Sequence, residues 1–93
     1  MEITLQELIN KNNPIIIDIR NENEFIMGTI PTSRNIPAMK VEVSPEKYLH
    51  KDQTYYIFCN NGKRSKVLSQ KLNIQGYKTV NIIGGYFNYL LRK

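Results

Sequence analysis

Hydrophobic residues fall along this chain in short runs that alternate with amphipathic stretches. Residues 15–19, 55–58 and 79–83 are rich in β-branched or aromatic side chains, a pattern typical of strands buried on both faces of a sheet. Helical periodicity or helix-capping residues occur between these runs. Strands that alternate with helices predict an α/β fold, with a small, mostly parallel sheet of about five strands and helices on both faces.

A capping box marks the first predicted helix. Thr4 is the predicted N-cap, Glu7 lies three residues later, and Ile3 is placed to pack on Leu8 as a hydrophobic staple. We expect the helix to end near Asn10, because a run of Asn and Pro residues follows it.

Between the first two long predicted strands, Asn, Gly and Pro residues mark the ends of shorter predicted segments. Asn21 is predicted to cap a short helix that Gly28 closes. Residues 30–37 contain two Ile-Pro pairs and are predicted to be extended, because a residue before proline avoids the helical conformation. Pro45 is predicted to open a helix that runs towards Leu49.

The longest predicted helix follows residues 55–58 and a short loop, and Gly76 ends it. The glycine pair at 84–85 then turns the chain into a terminal helix over residues 86–92. In the long helix, five residues share one face at helical spacing: Val67, Leu68, Lys71, Leu72 and Ile74.

The single cysteine, Cys59, lies where a predicted strand ends and the long helix begins. Backbone N–H groups in such a turn have no helical acceptor, and the helix dipole adds partial positive charge. Lys63, Arg64 and Lys66 add full charges, and Gly62 permits a tight turn. All of these groups favour the thiolate, so Cys59 is predicted to be an acidic, reactive thiol rather than a buried structural residue.

Composition narrows the class of protein. The 93 residues are predicted to form one domain over residues 1–93. A single cysteine excludes an internal disulfide, and one His with one Cys cannot build an ordinary zinc site, so we expect no metal and no other cofactor. No stretch is long and apolar enough to suggest a membrane span or an export signal, so a cytoplasmic location is expected.

Charge is unevenly distributed between the two parts of the chain. Residues 1–52 contain six Lys/Arg and all eight Asp/Glu, whereas residues 53–93 contain seven Lys/Arg and no acid. The cationic part includes Cys59 and favours small anionic substrates or an acidic protein partner. We expect no nucleic-acid partner, because no nucleic-acid-binding motif is present, and a solvated basic face explains most of the lysines.

The loop that starts at Cys59 resembles the active-site loop of the rhodanese family of sulfurtransferases. In that family four residues separate the Cys from an Arg, and Ser usually follows, as in Arg64 and Ser65 here. The resemblance covers nearly the whole chain and implies a rhodanese-like fold. The other matching segments are Ile17-Asp18-Ile19-Arg20, Glu24-Phe25, Gly28, Ile30-Pro31, Asn35-Ile36-Pro37 and Gly84-Gly85. Three family positions differ, at Thr29, Thr32-Ser33 and Tyr89, and none lies in the cysteine loop.

The resemblance implies sulfur transfer through a persulfide on Cys59. The donor would be a small anion such as thiosulfate, or another persulfide, and the acceptor a thiophile such as a sulfur-carrier or acceptor protein. The residues expected to bind the donor are Asn60, Asn61, Gly62, Lys63, Arg64 and Ser65. Lys63 and Arg64 would attract the anion, or Arg64 would instead brace the loop. The Asn, Ile and Lys content suggests that the protein comes from a bacterium with an AT-rich genome.

Two other functions remain open at this stage. The first is phosphoryl transfer, as in the cysteine phosphatases and the arsenate reductases that resemble them. Those enzymes place five residues between Cys and Arg and usually need an Asp general acid. A non-enzymatic module that binds a protein on the basic face is the second alternative.

We also expect Asp18, Arg20 and Glu24 to form a structural network, and we do not expect His50 to pair with Cys59.

Overall fold

The computed structural model describes residues 1–92, which form a five-stranded parallel sheet with helices on both of its faces. The strands are β1 (Glu2–Ile3), β2 (Ile15–Asp18), β3 (Arg34–Asn35), β4 (Thr54–Phe58) and β5 (Lys78–Ile82). The helices are α1 (Leu5–Ile9), α2 (Glu22–Met27), α3 (Ala38–Val43), α4 (Lys63–Ile74) and α5 (Gly85–Leu91), with one 3-10 turn at Pro45–Lys47. No helix within this part of the chain is long and apolar enough to cross a membrane.

The strand order is β1-β5-β4-β2-β3, and every neighbouring pair is parallel. The predicted fold class is therefore confirmed. In the register, Asp18 pairs with Phe58 and Ile57 pairs with Asn81. The carboxyl ends of β2, β4 and β5 thus lie at one edge of the sheet, and the loops that follow these three strands meet there.

Side chains alternate between two hydrophobic cores, one on each face of the sheet. Along β4, Tyr55 and Ile57 enter the core that α3 and α4 cover, whereas Phe58 enters the core beneath α1 and α5. The run of residues 15–18 is divided in the same way, with Ile17 on the α4 side and Ile16 on the other. Strands buried on both faces need the continuous apolar runs seen in the sequence.

The start of the chain confirms the predicted capping box and adds a strand. The Glu7 N–H donates to Thr4 Oγ1 at 3.1 Å, and the Thr4 N–H donates to Glu7 Oε1 at 2.9 Å. Ile3 and Leu8 lie in the same core cluster, as a hydrophobic staple requires. Ile3 also belongs to β1, which the sequence did not predict because two residues are too few to show a period of two.

The segment between β3 and β4 differs from the prediction. Residues beyond Pro37 form α3, which the Ile-Pro pairs gave no reason to expect. Pro37 is the N-cap of this helix, so the proline ends the extended segment and begins a helix at the next residue. The helix predicted from Pro45 towards Leu49 is a single 3-10 turn.

The buried face of α4 agrees only in part with the predicted apolar face, because Leu68 and Leu72 are buried but Val67 and Ile74 are not. Val67 is 52% exposed and Ile74 is 86% exposed, although the spacing placed both beside Leu68 and Leu72. The residues that face the sheet are Ser65, Leu68, Ser69 and Leu72, which also follow helical spacing. Serines occupy this face because β5 presents hydrogen-bonding side chains to it, such as Thr79, whose Oγ1 lies 2.7 Å from Ser69 Oγ.

Candidate active site

Cys59 lies at the carboxyl edge of the sheet, directly after β4. Gly62 is the N-cap of α4 and has a φ of 89°, in the left-handed region that favours glycine. A Cβ at this position would also lie 3.0 Å from the Gly84 nitrogen. The conformation of Gly62 folds the loop back, so that the first turn of α4 faces the cysteine.

The sulfur of Cys59 is surrounded by hydrogen-bond donors. The Gly62 N–H donates to Sγ at 3.2 Å, and the Ser65 N–H donates at 3.4 Å. The Ser65 hydroxyl oxygen lies 3.3 Å from Sγ. Cys59 is 8% exposed, so most of its surface contacts protein rather than water. This arrangement can hold a single negatively charged sulfur through several directed contacts.

Hydrogen bonding lowers the pKa of the Cys59 thiol. Burial, the largest influence, raises this pKa, but the combined hydrogen bonds from Ser65, Gly62 and the Arg64 backbone outweigh it. The cause differs from the sequence-based expectation in one respect. The lowering comes from the loop's own donors, whereas the Lys63 and Arg64 side chains are exposed.

We expect the alkylation rate of Cys59 to rise with pH around a midpoint below the ordinary thiol value of ~8.5. Only the thiolate reacts, so a lowered pKa moves the whole profile to lower pH. The control is the same chain unfolded in urea, which should titrate at the ordinary value. The pKa of Cys59 is lower in the folded protein than in the unfolded chain. Ionisation of Cys59 therefore stabilises the folded protein at pH values above the pKa of the unfolded chain. This stabilisation is lost as the pH falls through the pKa of the folded protein. A folded midpoint equal to or above the urea value would contradict the prediction.

Among the remaining residues of the predicted loop, Asn61 lies near the sulfur, whereas the side chains of Asn60, Lys63 and Arg64 point away from it. Asn61 Oδ1 accepts from the Lys63 N–H at 2.9 Å and lies 3.9 Å from Sγ. Asn60 turns away from the thiol, and its Nδ2 donates to Glu24 Oε2 at 2.8 Å. Lys63 and Arg64 extend outward, and within residues 1–92 their side chains form no hydrogen bond or ion pair.

A buried ion pair supports the loop from the side of β2. Arg20 Nη2 lies 2.8 Å from Asp18 Oδ2, and Thr29 Oγ1 donates to the same carboxylate oxygen at 2.8 Å. Arg20 Nη1 reaches Asn60 Oδ1 at 3.4 Å. The structure thus contains the network expected for Asp18 and Arg20. Glu24 joins it through Asn60 rather than through Arg20, a connection the sequence did not indicate.

The N-terminus of α5 holds the loop from the side of β5. The Tyr86 N–H donates to the Cys59 carbonyl at 2.9 Å, and the Phe87 N–H donates to the Asn60 carbonyl at 2.9 Å. Gly85 makes this approach possible, because a Cβ at its position would lie 2.2 Å from the Cys59 carbonyl oxygen. The glycine pair was visible in the sequence as a match to the rhodanese pattern, but its contact with the loop was not.

An apolar groove opens beside the loop, between α2 and α5. Its volume is about 390 Å³, and Asn60 and Tyr86 form part of its wall. Its apolar rim consists of Met27, Phe87 and Leu90, which are 88%, 52% and 56% exposed. A larger cavity of about 830 Å³ lies at the opposite edge of the sheet, where β4 and β5 begin, and is remote from Cys59.

His50 and Asp52 precede β4, so they lie at the amino edge of the sheet, whereas Cys59 follows the same strand. The five residues of β4 separate the two edges by ~17 Å. A Cys–His pair between His50 and Cys59 is therefore excluded in this arrangement.

Comparison with known proteins connects this geometry to one family. A family model of the rhodanese-like domain matches residues 3–91. A Bacillus subtilis protein, named provisionally as a sulfurtransferase, is 37% identical over 84 residues, which is 87% of this chain and 79% of that protein. The crystal structure of a Staphylococcus saprophyticus protein superposes with a TM-score of 0.84 at 33% identity, covering 95% of this chain and 91% of that one. A human single-domain sulfurtransferase gives 0.81 at 25% identity, covering 99% and 96%.

Proposed function

Since this chain belongs to the rhodanese-like family of sulfurtransferases, we propose that it transfers sulfane sulfur through a persulfide on Cys59. The donor is thiosulfate or another persulfide, and the acceptor is a thiophile. The observation that carries the proposal is the set of polar groups around Sγ: the N–H groups of Gly62 and Ser65 donate to it, and the Ser65 hydroxyl oxygen lies 3.3 Å away. These groups surround a single sulfur atom in a loop with four residues between Cys59 and Arg64.

Transfer would take place in two displacements at sulfur. The Cys59 thiolate attacks the outer sulfur of thiosulfate, a new S–S bond forms, the original S–S bond breaks, and sulfite leaves with the bonding electron pair. The outer sulfur of the resulting persulfide carries the negative charge, and donors in the loop stabilise it in the manner of an oxyanion hole. An acceptor nucleophile then attacks that outer sulfur and displaces the Cys59 thiolate.

The charges around the loop support a small anionic donor. Lys66 lies 4.0 Å from Glu2, and Lys71 lies 3.0 Å from Glu42, so acidic residues of the first half partly neutralise the basic face. Lys63 and Arg64 retain exposed positive charge next to the loop. These two cations lie where an anionic donor would enter, whereas Lys78 lies at the start of β5, at the opposite edge of the sheet. The position of Lys63 and Arg64 favours the enzyme over a module that binds through a broad basic face.

The contacts of the aspartates disfavour phosphoryl transfer. The chain has two aspartates, and neither is placed to act as a general acid beside Cys59. Asp18 is fully buried in its ion pair with Arg20, and Asp52 lies at the opposite edge of the sheet. The loop is also one residue shorter than in the phosphatases, which leaves less room for a tetrahedral oxyanion.

We further propose that a protein acceptor approaches through the groove between α2 and α5. This groove meets the loop at Asn60, and the exposed Met27, Phe87 and Leu90 provide an apolar rim. Exposed apolar side chains beside a reactive residue are typical of surfaces that bind a partner. A sulfur-carrier or acceptor protein could bury them while its nucleophile reaches the persulfide.

Intact-mass measurement after thiosulfate treatment tests the function. We expect one added sulfur atom per chain, lost on treatment with cyanide, and no addition to the Cys59→Ala variant. Hydrolysis of a chromogenic phosphate ester, measured in parallel, is expected to be undetectable. Wild-type protein that is alkylated at Cys59 yet gains no sulfur from thiosulfate or from a low-molecular-weight persulfide would refute the proposal.

A further inference from the structure

The Ser65 hydroxyl lies between the Cys59 thiol and the side chain of Asn81 on β5. Its oxygen is 3.3 Å from Cys59 Sγ and 2.5 Å from Asn81 Oδ1. Ser65 and Asn81 are almost fully buried, at 0% and 1% exposed, so water does not supply alternative partners from bulk solvent. A hydroxyl carries one proton and can donate it to only one of these two neighbours at a time.

The other contacts of Asn81 determine which way its amide faces. Nδ2 donates to Glu2 Oε2 at 2.9 Å and to the Gly62 carbonyl at 3.3 Å. Both of these neighbours are acceptors, so the amide nitrogen must face them, and Oδ1 must face Ser65. Ser65 therefore donates its proton to Asn81 and presents an oxygen lone pair to Sγ. This arrangement suits a protonated thiol that donates to Ser65.

Ionisation of the thiol changes what Ser65 must do. A thiolate can only accept hydrogen bonds, so the Ser65 hydroxyl has to turn towards Sγ in order to stabilise it. Asn81 Oδ1 then loses its donor while it remains buried, which is unfavourable. We propose that Asn81 is a positioning residue that competes with the Cys59 thiolate for the single Ser65 proton and so restrains ionisation of the thiol.

Formation of a persulfide on Cys59 would end the competition for the Ser65 proton. In a persulfide the negative charge lies on the outer sulfur, and Sγ, bonded to carbon and sulfur, no longer needs the Ser65 proton. The hydroxyl can then return to Asn81, so the Ser65–Asn81 hydrogen bond favours the loaded form over the free thiolate. This consequence rests on the proposed function, whereas ionisation of the thiol can be measured without any sulfur donor.

Other ionisable groups that bear on the titration of Cys59 lie in the loop and on the elements that flank it. They are Glu2 of β1, Asp18 at the end of β2, Arg20 after it, Glu24 of α2, Lys63, Arg64 and Lys66 of α4, and Tyr86 of α5. Within residues 1–92, none of their side chains hydrogen bonds to Sγ, and Ser65 is the side chain that links Sγ to Asn81.

Titration of thiolate ultraviolet absorbance in four proteins tests the proposal: wild type, Asn81→Leu, Ser65→Ala and the double variant. Asn81→Leu frees the hydroxyl, so the pKa of Cys59 should fall by about 0.5–1 unit. In the Ser65→Ala background the same substitution should produce no fall, because no hydroxyl is left to compete for. A merely structural role for Asn81 would give the opposite sign, since loss of its contact with Gly62 would loosen the loop and raise the pKa.

Two further measurements keep the result decisive. Thr79→Val removes a hydroxyl from the same interface between α4 and β5 without touching the Ser65 contacts, so it should leave the pKa of Cys59 unchanged.

If Asn81→Leu does not fold, the infrared S–H stretch of the wild-type protein shows whether the thiol donates to Ser65. A band shifted below the free-thiol position, and restored to it in Ser65→Ala, supports the proposal. A wild-type band at the free-thiol position overturns it, as does an unchanged or raised pKa in Asn81→Leu or an equal fall in the double variant. Sulfur transfer is assayed separately, so failure of either proposal leaves the other testable.

Discussion

Replacing Cys59 by serine is expected to lower kcat/KM for thiosulfate by at least about a thousandfold. Cys59 is the only cysteine of the chain, so no other thiol can take over the attack. A serine hydroxyl is not ionised at neutral pH and gains little from the donors of Gly62 and Ser65, which stabilise an anionic sulfur. The measurement is sulfite release from thiosulfate with cyanide as the acceptor.

A matched control comes from Ser69, one turn further along the buried face of α4. Ser69→Ala removes a buried hydroxyl that contacts Thr79 and not the cysteine, so its kcat/KM should stay within a few-fold of wild type. Both variants must retain the circular dichroism spectrum of the wild type. A folded Cys59→Ser protein that keeps more than about a tenth of the activity would mean that sulfur transfer does not pass through this residue.

Gly85→Ala is expected to lower the free energy of unfolding by about 2–4 kcal/mol and to disrupt the loop. Gly85 has a φ of 57°, and an added Cβ would lie 2.2 Å from the Cys59 carbonyl oxygen. Since that oxygen belongs to the backbone, α5 or the loop must move. The hydrogen bonds from Tyr86 and Phe87 to the loop carbonyls would then lengthen. Urea unfolding measures the loss of stability, and the Cys59 alkylation profile measures the loss of loop geometry, seen as a raised pKa.

Gly76→Ala is the control that separates the effect of backbone strain from the effect of the clash at Gly85. Gly76 also has a left-handed φ, of 99°, but a Cβ there would meet only the Lys51 side chain at 3.5 Å. Its effect should be limited to about 1–2 kcal/mol of conformational strain, with an unchanged alkylation profile. If Gly85→Ala proved no more destabilising than Gly76→Ala and left the profile of Cys59 unchanged, the helix would not be holding the loop.

Local patterns were sufficient to predict the central strands and most helix ends. The capping box of Thr4 and Glu7, and the apolar runs that became β2, β4 and most of β5, depend on residues close together in the sequence. The short strands β1 and β3 are different, because two residues carry no pattern and pairing with the sheet alone makes them strands.

The errors in the prediction come from contacts between distant residues. The periodicity of α4 placed Val67 and Ile74 inward, but Ser65 and Ser69 take the buried face because Asn81 and Thr79 hydrogen bond to them. Apolarity is a poor guide where part of an interface consists of hydrogen-bonded polar side chains, as it does at Ser65 and Ser69.

The reactive cysteine and its loop were predicted from position and resemblance, and their role in catalysis stays a prediction. Backbone N–H groups of the turn were predicted as one source of the lowered pKa, but the sequence could not show which of them reach the sulfur or that the side-chain charges matter less. The nearby charges of Lys63 and Arg64 are obvious in it, whereas the inward turn of the Gly62 and Ser65 N–H groups depends on how the loop folds. The links from Asn60 to Glu24 and from Gly85 to the Cys59 carbonyl likewise join segments that only the tertiary fold brings together.

The pairing of β1 with β5 has a consequence for synthesis of the protein. Glu2 pairs with Asn81, so the first strand of this sheet to be translated pairs with the last strand of the same sheet. Until β5 emerges, β1 has no neighbour, β4 has an open edge, and Asn81 is not yet present to meet Ser65. Such long-range pairing delays completion of the sheet until β5 has been translated. The contacts of Asn81 with Ser65 and Gly62 are therefore the last part of the thiol environment to form.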